Sequence, residues 1–143
     1  MRMAAILAGA LFVSACLARG PLPYSPAGFP EILSLPTTVT TKGEVKVERE
    51  GQYEFLLRGR AEVVRGKKWT GRVTAAGFGS GDRTFLAILE NAMVTKTGWE
   101  ALYRDEARNP PLATLRRTLG GERFWASIEG WPDDLSITVV HRN

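Results

Sequence analysis

From Gly43 to Ala75 the chain alternates apolar and polar residues with period two. Val45 and Val47 fall on one side of an extended chain, and Glu44, Lys46 and Glu48 on the other, because successive side chains of a strand point to opposite faces. Glu50-Gly51 reads as a tight turn, and Tyr53, Phe55 and Leu57 resume the alternation. The segment predicts a hairpin. Gly59 is expected to kink or bulge the strand. Ala61 to Val64 continues it, Arg65-Gly66-Lys67-Lys68 reads as a second turn, and Trp69 to Ala75 as the returning strand.

The period then changes. Phe85, Ile88, Leu89, Ala92 and Met93 recur at helical spacing, and Leu86 widens the stripe. With Asp82 as N-cap and Gly98 as the C-terminal glycine, the spacing predicts a helix from about Arg83 to Thr97. Strand signals return at Trp99 to Tyr103, Leu112 to Thr118, Arg123 to Glu129 and Leu135 to His141. Asn109-Pro110-Pro111, Leu119-Gly120-Gly121-Glu122 and Pro132-Asp133-Asp134 separate them. Leu135, Ile137 and Val139 alternate with Ser136 and Thr138, so the last strand is expected to bury one face. In the strand before it, Phe124, Ala126 and Ile128 oppose Trp125, Ser127 and Glu129. Trp125 is expected to pack in the core or to cover the outer face of the sheet. The fold class expected for residues 43–143 is α+β: one long helix packed on a mostly antiparallel sheet, in the order strands, helix, strands. Roughly 100 residues suffice for one core and are too few for two.

Residues 16–42 read differently. Five of the eight prolines lie between Pro21 and Pro36, and from Leu17 to Lys42 Glu31 is the only acid. This is the composition of an extended tether, reaching ~80 Å at most at ~3.1 Å per residue. Phe29, Ile32, Leu33 and Leu35 are more apolar than a linker requires and are candidates to dock on the domain. Ahead of the tether, Arg2 precedes an uncharged run from Met3 to Val13. Its eleven residues are too few for a transmembrane helix, which needs ~20 to cross ~30 Å of hydrocarbon.

Cys16 is the only cysteine. It closes Val13-Ser14-Ala15-Cys16, an aliphatic residue and two small ones before the thiol, at the end of the apolar run. This arrangement resembles the signal peptide and lipobox of bacterial lipoproteins. The resemblance implies that residues 1–15 are removed and that Cys16 is lipidated. The protein would then be held at the cell envelope by acyl chains, each buried methylene contributing ~0.8 kcal/mol. Leu17 stands where an Asp tends to retain enterobacterial lipoproteins in the inner membrane, so the outer membrane, facing the periplasm, is the expected address. The other reading is an ordinary secretory signal cut near Ala15 or after Ala18, with Cys16 incidental. The element order of residues 43–143 loosely resembles small α+β domains of envelope lipoproteins, including those ahead of OmpA-type peptidoglycan-binding domains. No such binding domain is expected after Asn143.

Charge adds little. Nineteen Lys+Arg face fifteen Asp+Glu. Loss of residues 1–15 removes only Arg2 and leaves a formal charge of +3. That excess suits anionic headgroups or cell-wall polymer and is too small for a nucleic-acid partner. Arg65, Lys67, Lys68 and Trp69, with Arg72 nearby, form a basic turn beside an aromatic residue and are the candidate anionic-ligand patch. Arg58 and Arg60 are expected close by, and Arg116-Arg117 is a similar pair in a later strand. Trp99, Trp125 and Trp131 are spread through the second half.

Catalytic and metal signatures are lacking. Gly77-Phe78-Gly79-Ser80-Gly81-Asp82 has an aspartate where the dinucleotide fingerprint needs its last glycine, and reads as a strand-to-helix connection. His141 is the sole histidine and sits near the C-terminus, so no His-based metal site, triad or cofactor is expected. Asp105-Glu106 and Asp133-Asp134 are adjacent acids in turns, without an opposing acid at glycosidase spacing. The expectation is a non-enzymatic envelope lipoprotein whose domain binds a protein partner or envelope component. The alternative is a module for anionic lipid or glycan built on the basic turn at Lys67 and Lys68.

Overall fold

A computed structural model describes residues 39–79 and 81–142. The signal segment, Cys16 and the proline-rich stretch with Phe29, Ile32, Leu33 and Leu35 lie outside the described residues. Strand β1 (Val39–Leu57) and strand β2 (Arg60–Ala75) form a long hairpin. Helix α1 (Phe85–Thr97) follows. Strands β3 (Glu100–Asp105), β4 (Leu112–Leu119), β5 (Glu122–Trp131) and β6 (Asp134–Arg142) complete the chain. They form one sheet in the order β1-β2-β6-β5-β4-β3, with every neighbouring pair antiparallel. Among the described residues pairing already includes Val39, opposite Ala75, ahead of the Gly43 boundary expected from the alternation.

The expected architecture, a long helix packed on a sheet, is corrected. The chain builds a six-stranded antiparallel sheet with one short helix. α1 has 13 residues and so spans ~20 Å at 1.5 Å per residue. β1 has 19 and extends ~60 Å at ~3.3 Å per residue. One such helix covers part of the sheet and is not a layer. Its start is displaced because the Asp82 carboxylate does not cap it. Asp82 Oδ1 accepts from Thr84 N (2.9 Å) and Thr84 Oγ1 (2.7 Å) in a turn ahead of the helix. Thr84 becomes the N-cap residue, without a side-chain cap. At the other end Gly98 adopts φ 80°, and its N–H and that of Trp99 both close on Met93 O.

The buried face of α1 also differs from the expected stripe. Phe85, Leu86, Leu89 and Met93 are buried, whereas Ile88 is 53% exposed and Ala92 half-buried. Those four residues join Trp69, Val73, Leu115, Phe124, Ile128 and Leu135 in the main core cluster. A second cluster lies on the opposite face of the sheet: Phe55, Val64, Trp125 and Val140, with Tyr53, Leu57 and Leu102 packed against them. Both faces are therefore partly apolar, which explains adjacent buried residues such as Phe124-Trp125 and Val139-Val140.

One irregularity lets β1 serve both clusters. Glu48 pairs with Lys68, but Gly51 pairs with Gly66, so Arg49 and Glu50 oppose Lys67 alone. This is a β-bulge, and the extra residue reverses the side to which later odd-numbered residues point. Val45 and Val47 enter the main cluster, whereas Tyr53, Phe55 and Leu57 enter the second. The turn expected at Glu50-Gly51 is this bulge. The actual hairpin turn is Arg58-Gly59, closed by the Leu57–Arg60 pair, with Gly59 at φ 73°.

Beyond the bulge the hairpin bends across the second cluster. Thr114 Oγ1 of β4 donates to Leu56 O of β1 at 2.8 Å. The Phe55 and Trp125 rings lie 5.5 Å apart. β1 and β4 are separated by three strands in the sheet order, so the sheet curls back towards itself at this end.

Candidate functional site

The basic turn expected at Arg65-Gly66-Lys67-Lys68 lies within β2, where Gly66, Lys67 and Lys68 pair with Arg142, His141 and Val140 of β6. Gly66 is there for close approach: a Cβ at this position would lie 1.9 Å from His141 O. Alternation along the strand sends Lys67 and Lys68 to opposite faces. Trp69 is fully buried in the main cluster. Lys68 Nζ donates to Gln52 O at 3.0 Å, lies 3.7 Å from Glu48 Oε2 and sits 5.6 Å from the Tyr53 ring centre. Arg72 Nε donates to Asp134 Oδ1 at 3.0 Å, and a second guanidinium nitrogen donates to Asp134 Oδ2. Arg72, helped by Lys42 at 3.6 Å, holds the Asp134 carboxyl below the usual carboxylate range. Arg65 is exposed. The fold does not bring Arg65, Lys67, Lys68, Trp69 and Arg72 together as one patch.

A basic surface does form at the curled end, from other residues. The Arg58-Gly59 turn and the start of β2 place Arg58, Arg60 and Glu62 beside Leu57. The curl sets them against Leu102 of β3, Arg116 of β4 and Trp125 of β5, which together enclose a cleft of about 270 Å³. Arg116 donates twice to Glu100 Oε1, at 2.9 and 3.3 Å, and its guanidinium carbon lies 5.5 Å from the Trp125 ring centre. Arg60 approaches Glu62 at 3.5 Å, and Arg142 reaches the same glutamate at 3.6 Å. Arg58 has no carboxylate partner among the described residues. Exposed pairs of this kind contribute only ~0–1 kcal/mol, so an incoming anion competes with them readily. Trp125 is 2% exposed, and its buried Nε1–H has no hydrogen-bond partner among the described residues.

Arg58 and Arg60 were expected near the basic turn. Their convergence with Arg116 and Trp125 carries no signal in the chain, since it depends on the bulge and the curl. The apolar alternation places Trp125 on the face opposite Phe124, and the structure shows both residues buried, one in each cluster.

The other singled-out residues have structural surroundings. His141 Nε2 lies 2.7 Å from Glu122 Oε1, and the imidazole stacks on Phe124 at 4.6 Å. His141, in β6, is thus packed against β5. Trp99 is buried, and Arg117 lies 5.9 Å from its ring centre. Trp131 is half-buried beneath Arg83 at 5.0 Å. Asp105 Oδ1 accepts from the N–H groups of Ala107 and Arg108, both at 3.1 Å, and Glu106 pairs with Arg104 at 3.2 Å. Arg104 also binds Glu90. Burial pushes the Glu90 carboxyl above its ordinary range, although Arg104 acts in the opposite direction. Ser80 lies outside the described residues. Among the described residues there is no group of three His, Cys, Asp or Glu side chains suited to a metal ion, and no helix is long and apolar enough to cross a membrane. No protein-family model matches the chain, and no curated protein or solved structure is significantly similar to it.

Proposed function

We propose that the chain is a non-enzymatic lipoprotein of the bacterial cell envelope, anchored through Cys16, whose domain binds an anionic envelope component. On this reading the protein sits on the outer membrane and faces the periplasm. The observation that carries the binding function is the convergence of Arg58, Arg60 and Arg116 around Trp125, with Arg60 paired to half-buried Glu62 and Arg116 to exposed Glu100. The anchor rests on the sequence at Val13-Ser14-Ala15-Cys16. A protein partner added along the sheet edge is less well supported. The edge strand β1 carries exposed Lys42, Glu44, Lys46, Glu48, Arg49 and Glu50, a charge pattern that discourages strand pairing.

The experiment has two arms. In cell fractionation, wild type is expected with membranes and Cys16→Ser in the soluble periplasm. Equal solubility of the two would overturn the anchor. Full chain bearing Cys16→Ser is then tested on anionic and zwitterionic vesicles. Binding to the anionic ones is expected at low salt and to weaken as the Debye length falls from ~10 Å at 0.1 M to ~3 Å at 1 M. The Arg58→Glu, Arg60→Glu double variant should abolish it. Loss of binding in Lys67→Glu, Lys68→Glu instead would return the site to the middle of β2.

A further inference from the structure

We infer that the cleft beside Trp125 takes a single acidic amphiphile, with a carboxylate or phosphate head at Arg58, Arg60 and Arg116 and an alkyl chain against Leu57, Leu102 and Trp125. The inference rests on the anionic-component reading above and adds the apolar half of the ligand.

Three observations support that half. First, part of the lining is apolar: Leu57 and Leu102, half-buried and packed against the second cluster, line the cleft together with Trp125. A headgroup alone would leave this surface unused. An alkyl chain covers it, and burying two methylene groups strengthens binding roughly tenfold. Second, the cleft is concave and small. Its 270 Å³ lies at the lower edge of the ~300–1,000 Å³ typical of small-molecule sites. It suits a head and a short length of chain, and is too small for a stretch of polymer. Third, the cations line the same cleft as the apolar residues. Arg58 lies in the hairpin turn, Arg60 follows it, and Arg116 reaches the Trp125 ring from β4. An amphiphile with a charged end and an apolar body matches that mixed lining.

The test uses full chain bearing Cys16→Ser, which cannot be acylated, with probes below their micellisation concentrations. Octanoate and octyl phosphate carry head and chain, acetate carries the charge without the chain, and octyl glucoside the chain without the charge. Binding is read by calorimetry and by tryptophan fluorescence. Octanoate or octyl phosphate should bind at least tenfold more tightly than acetate and than octyl glucoside. The tighter of the two identifies the head as carboxylate or phosphate. Arg58→Ala with Arg60→Ala, at an exposed turn, should weaken octanoate at least tenfold. Leu102→Asn should bring octanoate towards acetate and leave acetate unchanged. If circular dichroism shows that this variant is unfolded, Leu57→Ala serves the same comparison. Octanoate binding no more tightly than acetate, with both weakened by the arginine variant, would overturn the amphiphile and leave the anion reading standing. Equal binding of octyl glucoside and octanoate, or no binding by any probe, would overturn both.

Discussion

At the scale of single residues, burial decides which side chains matter. Phe85 is 1% exposed and packs edge-on against Phe78 at 4.6 Å between ring centres. Phe85→Ala is expected to cost ~3–5 kcal/mol through lost transfer energy and a residual cavity. Ile88→Ala, three residues on and on the solvent side, should change stability by less than ~0.5 kcal/mol. Urea denaturation of both variants tests the face assigned to α1, and a reversed order would place the helix the other way round. Glu90 supplies a pH test. Because burial raises its carboxyl pKa, the folded chain binds a proton that the unfolded chain has released in the interval between the two pKa values. Stability therefore falls as pH rises from the ordinary carboxylate range through the raised value, then levels off. Glu90→Gln cannot titrate. Denaturation midpoints measured between pH 4.5 and pH 8 should slope downwards less in this variant than in wild type. An unchanged slope would show that Glu90 titrates as an ordinary exposed carboxylate.

At the scale of elements, the bulge in β1 is the decisive feature. A strand of 19 residues with strict alternation would present one apolar face throughout. The insertion at Arg49-Glu50 divides it into a half that faces the main cluster and a half that faces the second cluster at Trp125. Deleting Arg49 removes the extra residue and leaves Glu50 opposite Lys67, so the Glu48–Lys68 and Gly51–Gly66 pairs and the facing of both halves survive in a regular ladder. Deleting Glu54 has a different effect: the turn at Arg58-Gly59 holds Phe55 and Leu57 in place, and Tyr53 is turned away from the second cluster. The Arg49 deletion is expected to keep cooperative thermal unfolding seen by near-UV circular dichroism, whereas the Glu54 deletion should lower its midpoint. Loss of cooperative unfolding in the Arg49 deletion would show that Arg49 is more than the extra residue of the bulge. The turns expected at Glu50-Gly51 and at Arg65-Lys68 are both strand in the fold. Each contains a glycine beside charged residues, the usual turn composition. In the fold Gly51 follows a bulge, and Gly66 lets the β2 and β6 backbones approach.

At the scale of the whole molecule, the hairpin fastens the described domain from its first residue. Val39 to Lys42 pair with Ala75 to Arg72, and Lys42 lies 3.6 Å from Asp134. A chain spanning residues 39–143 should unfold in one cooperative transition. One spanning 43–143 should be less stable, having lost those four ladder positions and the ion pair. Equal midpoints in calorimetry would show that the added residues contribute nothing. The sequence by itself determined the lone Cys16 behind its apolar run, the position of every strand after the helix, the Gly98 stop and the opposition of Phe124 to Trp125. These are legible because they depend on local periodicity and on glycine, whose effects reach only a few residues. Tertiary structure alone decided the rest. Which side of α1 is buried, which face each half of β1 serves, and how Arg58, Arg60 and Arg116 meet around Trp125 all follow from pairings between strands far apart in the chain. A single bulge reverses every side chain beyond it, and the curl it allows brings together residues that nothing in their own neighbourhood marks as a site.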